Sequence, residues 1–288
     1  MVDVRGAGGR GGGGRMPGGV AGVGGGLGVV GVLIYIAIQL LAGSSGSGFD
    51  VTQVFGPAVQ APGASNPQPI PRAEDPQRQL KDFSVYVFED TQKTWSQIFR
   101  DSGETYSNAK LVLYSGAVQT GCGGASSAVG PFYCPADGRV YLDLSFYEEM
   151  RAQLQAPGDF AWAYVIAHEM GHHVQDEAGT SDEVDSERRQ NPGDANALSV
   201  RLELQADCYA GVWASTVYKE GDLQQGDLQE AFTASEAVGD DRLQRQATGR
   251  VNPDTFTHGT SEQRRHWFTT GYRSKDPGAC DTFSADSL

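Results

Sequence analysis

Residues 160–175 read FAWAYVIAHEMGHHVQ, and the rest of the chain is arranged by what this stretch requires. From Phe160 to Ala167 every residue is apolar or small. A helix built from it has no polar face for water and belongs inside a fold. His168 and His172 stand four apart, and residues at that spacing share one helix face, so both imidazoles can reach one metal ion. Glu169 lies one step around the helix, close enough to act on a water at that ion. His173 faces elsewhere and is expected to be neutral or to support its neighbours.

Two histidines leave a hydrolytic zinc site one protein ligand short. The candidate lies in Leu202–Gly211, LELQADCYAG, where Glu203 and Asp207 are again four apart in an otherwise apolar helical pattern. Glu203 can bind the metal while Asp207 holds one histidine from behind, fixing its tautomer and raising its basicity. A third histidine or aspartate soon after the first motif is the other arrangement known for such sites, and it fails: no HxxGxxH occurs.

The chain has 288 residues, 39% hydrophobic and 20% charged, which suits a folded protein and excludes wholesale disorder. Its net charge is −14, divided as about +2 over residues 1–73 and −16 beyond them. So acidic a folded part repels phosphate backbones, and nucleic acid is not an expected partner. Of the 39 glycines, 18 lie at or before Gly48. Residues 1–19 accordingly read as a Gly/Arg-rich tail with nothing to bury. Residues 20–42 carry no charge, and as a helix they would span ~34 Å, against ~30 Å of hydrocarbon. Three arginines precede this run and no Lys or Arg follows until Arg72. The positive-inside rule then predicts a single-pass signal anchor with a cytoplasmic N-terminus and an extracytoplasmic domain. A cleaved signal peptide is the competing reading, given the small residues that follow Leu41. Residues 43–73 read as a Gly/Ser/Pro linker, and residues 74–288 as the folded domain.

Cys122, Cys134, Cys208 and Cys280 all lie in that domain, and an even count in an exported domain predicts two disulfides with three possible pairings. Proximity favours Cys122–Cys134, which leaves Cys208–Cys280. No CxxC occurs, so a structural zinc knuckle is disfavoured. A helical pattern begins near Asp75 and stops at Ser102-Gly103. Lys110–Tyr114 and Arg139–Ser145 alternate as strands, the second with Val140, Leu142 and Leu144 on one face. After Phe146 the pattern is helical apart from a polar loop expected at about 179–196. The order predicts an α+β fold, mainly helical with a small β-sheet.

HEMGHHVQ, NPGDANALSVRLELQADCYAGVWA, GPFYCPADGRVYLDLSF and FTHGTSEQRRHWF together resemble the bacterial putative neutral zinc metallopeptidase family, and more widely the gluzincins. The resemblance covers essentially the whole chain. It implies a zincin-like domain with one Zn²⁺, bound by His168, His172 and Glu203, with Glu169 as general base and Asp207 behind a ligand. It further implies peptide or protein substrates and a distant residue that stabilises the oxyanion. His258, in FTHGTSEQRR, is the candidate for that role; Arg264 and Arg265 are alternatives whose ordinary reading is a helix surface. Zincins also present an edge strand to the substrate, and GPFYC resembles it, pointing to Gly130, Phe132 and Tyr133 as substrate-binding residues. A catalytically inactive scaffold of the same fold is the second reading, and the retention of Glu169 together with all three ligands argues against it.

Overall fold

Of the 19 residues in the helix that carries HEMGHH, 14 are buried, so the other elements pack around it. The computed structural model describes residues 1–5 and 70–288. Its elements are β1 (Val2–Asp3), α1 (Arg78–Asp101), β2 (Lys110–Tyr114), β3 (Ala117–Thr120), β4 (Gly123–Ser126), β5 (Phe132–Cys134) and β6 (Arg139–Asp143). Then follow α2 (Phe146–Ala152), α3 (Asp159–Glu177), α4 (Thr180–Gln190), α5 (Ala195–Glu220), α6 (Asp227–Ala237), α7 (Asp240–Thr248) and α8 (Ser261–Ser274). This is the α+β arrangement expected. No helix among the described residues is long and apolar enough to cross a membrane, and the anchor expected at 20–42 lies outside them.

Helix α3 packs against α1, α5 and α6, and its apolar residues join those of β2 and β6 in one core. Trp162 is fully buried there and donates its indole N–H to Ser84 of α1 at 2.8 Å. The four-stranded sheet has the order β1-β2-β6-β5. β1 and β6 run parallel to β2, and β5 runs antiparallel to β6 as an edge strand.

Val140, Leu142 and Leu144 are buried as their alternation along residues 139–145 suggests, and Tyr141 and Asp143 on the other face are buried too. The cause is the short β3–β4 hairpin and its neighbours: Val118 and Phe132 pack with Val112, Tyr114, Cys134 and Tyr141 into a second small cluster. Two sequence expectations are corrected. The loop expected at 179–196 is in large part helix α4. With Val184 as its one buried residue it lacks an apolar stripe, but Asp182 and Glu183 in its first turn and Arg188 and Arg189 in its last complement the helix dipole. Finally, the first five residues of the Gly/Arg tail do bury something. β1 adds to the edge of β2, and the Arg5 side chain is 1% exposed.

Both expected disulfides are present, with Cα–Cα distances of 5.9 Å for Cys122–Cys134 and 5.6 Å for Cys208–Cys280. The first ties the β3–β4 turn to the edge strand. The second closes a loop of 72 residues, which by chain entropy contributes about 4 kcal/mol.

Helices α5 and α8 touch backbone to backbone. A Cβ on Gly271 would fall into the carbonyl of Cys208, and one on Gly211 into the carbonyl of Phe268. Neither partner atom belongs to a side chain that can swing away. Gly271→Ala is therefore expected to force the helices apart at a cost of about 2–3 kcal/mol. The thermal midpoint should fall by roughly 5–10 °C in differential scanning calorimetry.

Candidate metal centre

Helix α3 brings His168, Glu169 and His172 to one wall of a cleft, and α5 crosses it to bring Glu203 opposite. That crossing is close because Gly171 lies against Ala206, where a Cβ would stand 2.9 Å from the Ala206 carbonyl oxygen. His168 Nε2 is 3.2 Å from Glu203 Oε2, and His172 Nε2 is 3.5 Å from Glu203 Oε1. One ligand atom from each of the three lies within 4.8 Å of the other two, a span that can close on a single zinc-sized cation. Two imidazoles and one carboxylate are also the donor set that zinc accepts in hydrolytic sites.

Each ring is held from behind so that Nε2 points at the shared position. His168 Nδ1 lies 2.9 Å from Asp207 Oδ1. Asp207 is completely buried and also accepts Tyr164 Oη–H and two N–H groups of Arg264, at 2.7 and 2.9 Å. His172 Nδ1 lies 2.9 Å from Gln175 Oε1. The amide group of Gln175 donates to the Leu202 carbonyl at 2.7 Å and to Gln205 Oε1 at 3.0 Å, which leaves its oxygen to accept from the ring. Gln205 in turn donates to the carbonyl of Cys280. Both second partners thus select the tautomer whose Nε2 is free for a metal.

The charges respond to this crowding. Burial would lower the pKa of His168, but Asp207 and Glu203 push it up to about 10. His172 is raised as well: burial opposes this, and Glu203 outweighs it. Burial also works against the carboxylate of Glu203, which His172, His258 and His168 nonetheless hold well below its ordinary range. For Glu169 burial dominates and the pKa rises, tempered by the two histidines and by the backbone N–H of Tyr133. A raised carboxyl pKa beside a metal position suits a group that must take up and return a proton.

The cleft has a volume of about 500 Å³. Edge strand β5 and the turn before it form one side, and Gly130, Phe132 and Tyr133 all line it. His258 lines it too, carried on a loop whose three successive backbone N–H groups, of Thr257, His258 and Gly259, converge on Asp240 Oδ2 at 2.6–3.1 Å. Asp240 Oδ1 sits 3.2 Å from His258 Nδ1. Burial opposes protonation of His258, and Glu203 and Asp240 favour it, with a raised pKa as the outcome.

The description "Putative neutral zinc metallopeptidase" belongs to a family whose pattern matches residues 1–283. The chain belongs to this family. Two relatives are "Uncharacterized protein YpfJ" of Escherichia coli K12, 54% identical over 70% of each chain, and "Uncharacterized protein Rv2575" of Mycobacterium tuberculosis H37Rv. The second is 50% identical over 64% of this chain and 65% of its own length. No solved structure matches.

In this member of the putative neutral zinc metallopeptidase family, His168, Glu169, His172, Glu203, His258, Gly130, Phe132 and Tyr133 line the cleft, and Asp207 lies directly behind His168. The two arginines of FTHGTSEQRR part company: Arg265 pairs with Glu236 at the surface, whereas Arg264 is buried behind His168. Its burial corrects the expectation of a helix surface, and its neighbour Gly271 on α8 shows why, since that helix lies backbone-close against α5. Tyr164 and Gln175 went unassigned although both lie within or beside FAWAYVIAHEMGHHVQ. Their positions three and four residues from a ligand histidine are the signal that could have found them. His173 supports the edge strand: its Nδ1 meets Tyr133 Oη at 3.1 Å and its Nε2 meets the Ser107 carbonyl at 2.7 Å.

Two outcomes follow for metal binding. Gln175→Leu frees the His172 ring, and zinc affinity should drop about 10–100-fold in a chelator competition titration. A pKa of about 10 means that His168 carries a proton at pH 7 that must leave as the metal enters. Zinc uptake should then release about one proton, with affinity rising from pH 6 to pH 8. Calorimetry in buffers of different ionisation enthalpy measures this directly, and zero release would contradict it.

Proposed function

We propose that the domain is a zincin-like, zinc-dependent endopeptidase that hydrolyses peptide bonds outside the cytoplasm. The observation that carries this reading is the meeting of His168, His172 and Glu203, with ligand atoms within 4.8 Å of one another and Glu169 buried beside them, in a cleft lined by an edge strand. A zinc ion held there would supply Lewis acidity and lower the pKa of a water toward ~7.

The residues of the chain divide the remaining work. An extended peptide adds to the free side of β5 by main-chain hydrogen bonds, alongside Gly130, Phe132 and Tyr133. Tyr133 is a firm platform, because its hydroxyl donates to Asp176 at 2.7 Å and also meets His173. Glu169 takes the proton of the attacking water and passes it to the leaving amine, and its raised pKa suits the carboxyl to both transfers. His258, held by Asp240 and with its protonation favoured by Glu203 and Asp240, offers an N–H to the oxygen of the scissile carbonyl as negative charge gathers there. Arg264 keeps Asp207 ionised, and Asp207 keeps His168 in register. The two disulfides support an oxidising compartment, in keeping with an extracytoplasmic domain.

The test uses a quenched peptide library and two variants. Glu169→Gln should retain one zinc per chain by elemental analysis while hydrolysis falls by about 10²–10⁴-fold. His258→Phe should lower kcat by about 10²–10³-fold with little change in KM. Undiminished hydrolysis in Glu169→Gln would overturn the mechanism. A metal-replete wild type that cleaves nothing in the library would favour the scaffold reading.

A further inference from the structure

The docking of the first five residues bears on how the chain meets a membrane. β1 extends the sheet in parallel register, with Val2 beside Val112 and Asp3 beside Leu113, and the Val4 amide donates to the Leu113 carbonyl at 2.8 Å. Arg5 then turns inward. Its guanidinium reaches Asp3 at 2.8 Å and Asp75 at 2.5 Å, and it donates to Gln77 at 3.2 Å. The side chains of Arg5, Asp3 and Asp75 are 1%, 3% and 1% exposed. Lys81 completes the cluster with a 2.7 Å contact to Asp3. Asp75 lies just before α1, so a buried carboxylate at the start of the domain has Arg5 as its closest cation. Such a charge is tolerated inside a protein only when it is paired, and these contacts have the geometry of a built socket rather than a surface encounter.

A socket of this kind and a single crossing of the membrane by residues 20–42 exclude one another. One crossing would put Arg5 and Asp75 on opposite sides of ~30 Å of hydrocarbon, in the same chain or in two chains of the same orientation. Two features of the sequence weaken the case for one crossing. The first half of the run is glycine-rich, and Leu27–Ala42, which carries most of its hydrophobicity, would span only ~24 Å as a helix. Of the three arginines that set the orientation, Arg5 is neutralised in the socket, which leaves Arg10 and Arg15.

We propose that Met1–Arg5 occupy the socket on the domain in the mature protein, so that the N-terminus lies on the same side of the membrane as residues 74–288. It stands as the alternative to a cytoplasmic N-terminus with an extracytoplasmic domain. It does not depend on the domain being a peptidase.

The test uses the full chain in the membranes of an expressing bacterium. All four native cysteines are paired, so Val2→Cys and Tyr218→Cys, at positions 49% and 59% exposed, each introduce one reactive thiol. Spheroplasts are treated with a membrane-impermeant maleimide, with and without detergent. The two variants should show the same labelling ratio within about twofold. If both label only after detergent, the shared side stands and the extracytoplasmic reading falls. If Tyr218→Cys labels freely while Val2→Cys needs detergent, the proposal is overturned. Docking is read separately: Arg5→Ala should lower the thermal midpoint, whereas Arg72→Ala, in an exposed pair with Asp82, should not. Equal midpoints for the wild type and Arg5→Ala would show an empty socket and would also overturn the proposal.

Discussion

Asp207 has no exposed surface, and three helices meet on its carboxylate. Tyr164 and His168 approach from α3, Arg264 approaches from α8, and Asp207 itself stands on α5. A buried carboxylate without partners would be protonated or would unfold its surroundings. Here burial raises its pKa, but the guanidinium and the imidazole more than offset this and keep it charged. The crossing angles of α3, α5 and α8 are therefore fixed by electrostatics as well as by packing. The glycines at the α3–α5 and α5–α8 contacts let the backbones come near enough for the carboxylate to be reached from both sides.

The candidate metal centre hangs from that arrangement. Glu203 lies one helical turn before Asp207, so the carboxylate that braces one histidine also sets the position of the carboxylate that faces both. On the opposite side of the cleft, α3 holds the edge strand through His173 and Asp176, which grip Tyr133. The same helix therefore fixes His168, His172, Glu169 and the cleft wall formed by β5. Few degrees of freedom remain among them.

The sequence made the centre of this legible because helical spacing is a strong geometric constraint. His168, Glu169 and His172 share a turn by necessity, and Glu203 with Asp207 repeats the logic on α5. What was not legible depended on contacts between distant segments. Arg264 looks like one of two equivalent surface arginines until α8 is laid against α5. Helix α4 carries almost no apolar pattern and is held by its charges and by Val184, so periodicity had nothing to detect. β1 is a two-residue strand in a Gly/Arg-rich tail. Its place is decided by Asp75 and Lys81, more than seventy residues away, and composition carries no trace of that pairing.

The Cys208–Cys280 bond lies next to Asp207 in the sequence, and its far end accepts a hydrogen bond from Gln205. From there the bonds run on through Gln175 to His172. Oxidation of two thiols is thus the last stitch in a line of contacts that ends on a histidine facing the metal position. Without the disulfide, that end of the line would rest on hydrogen bonds such as those between Arg201 and the segment Thr282–Phe283. The C-terminal segment, stapled to α5 by the Cys208–Cys280 bond, thus takes part in setting the geometry behind His172.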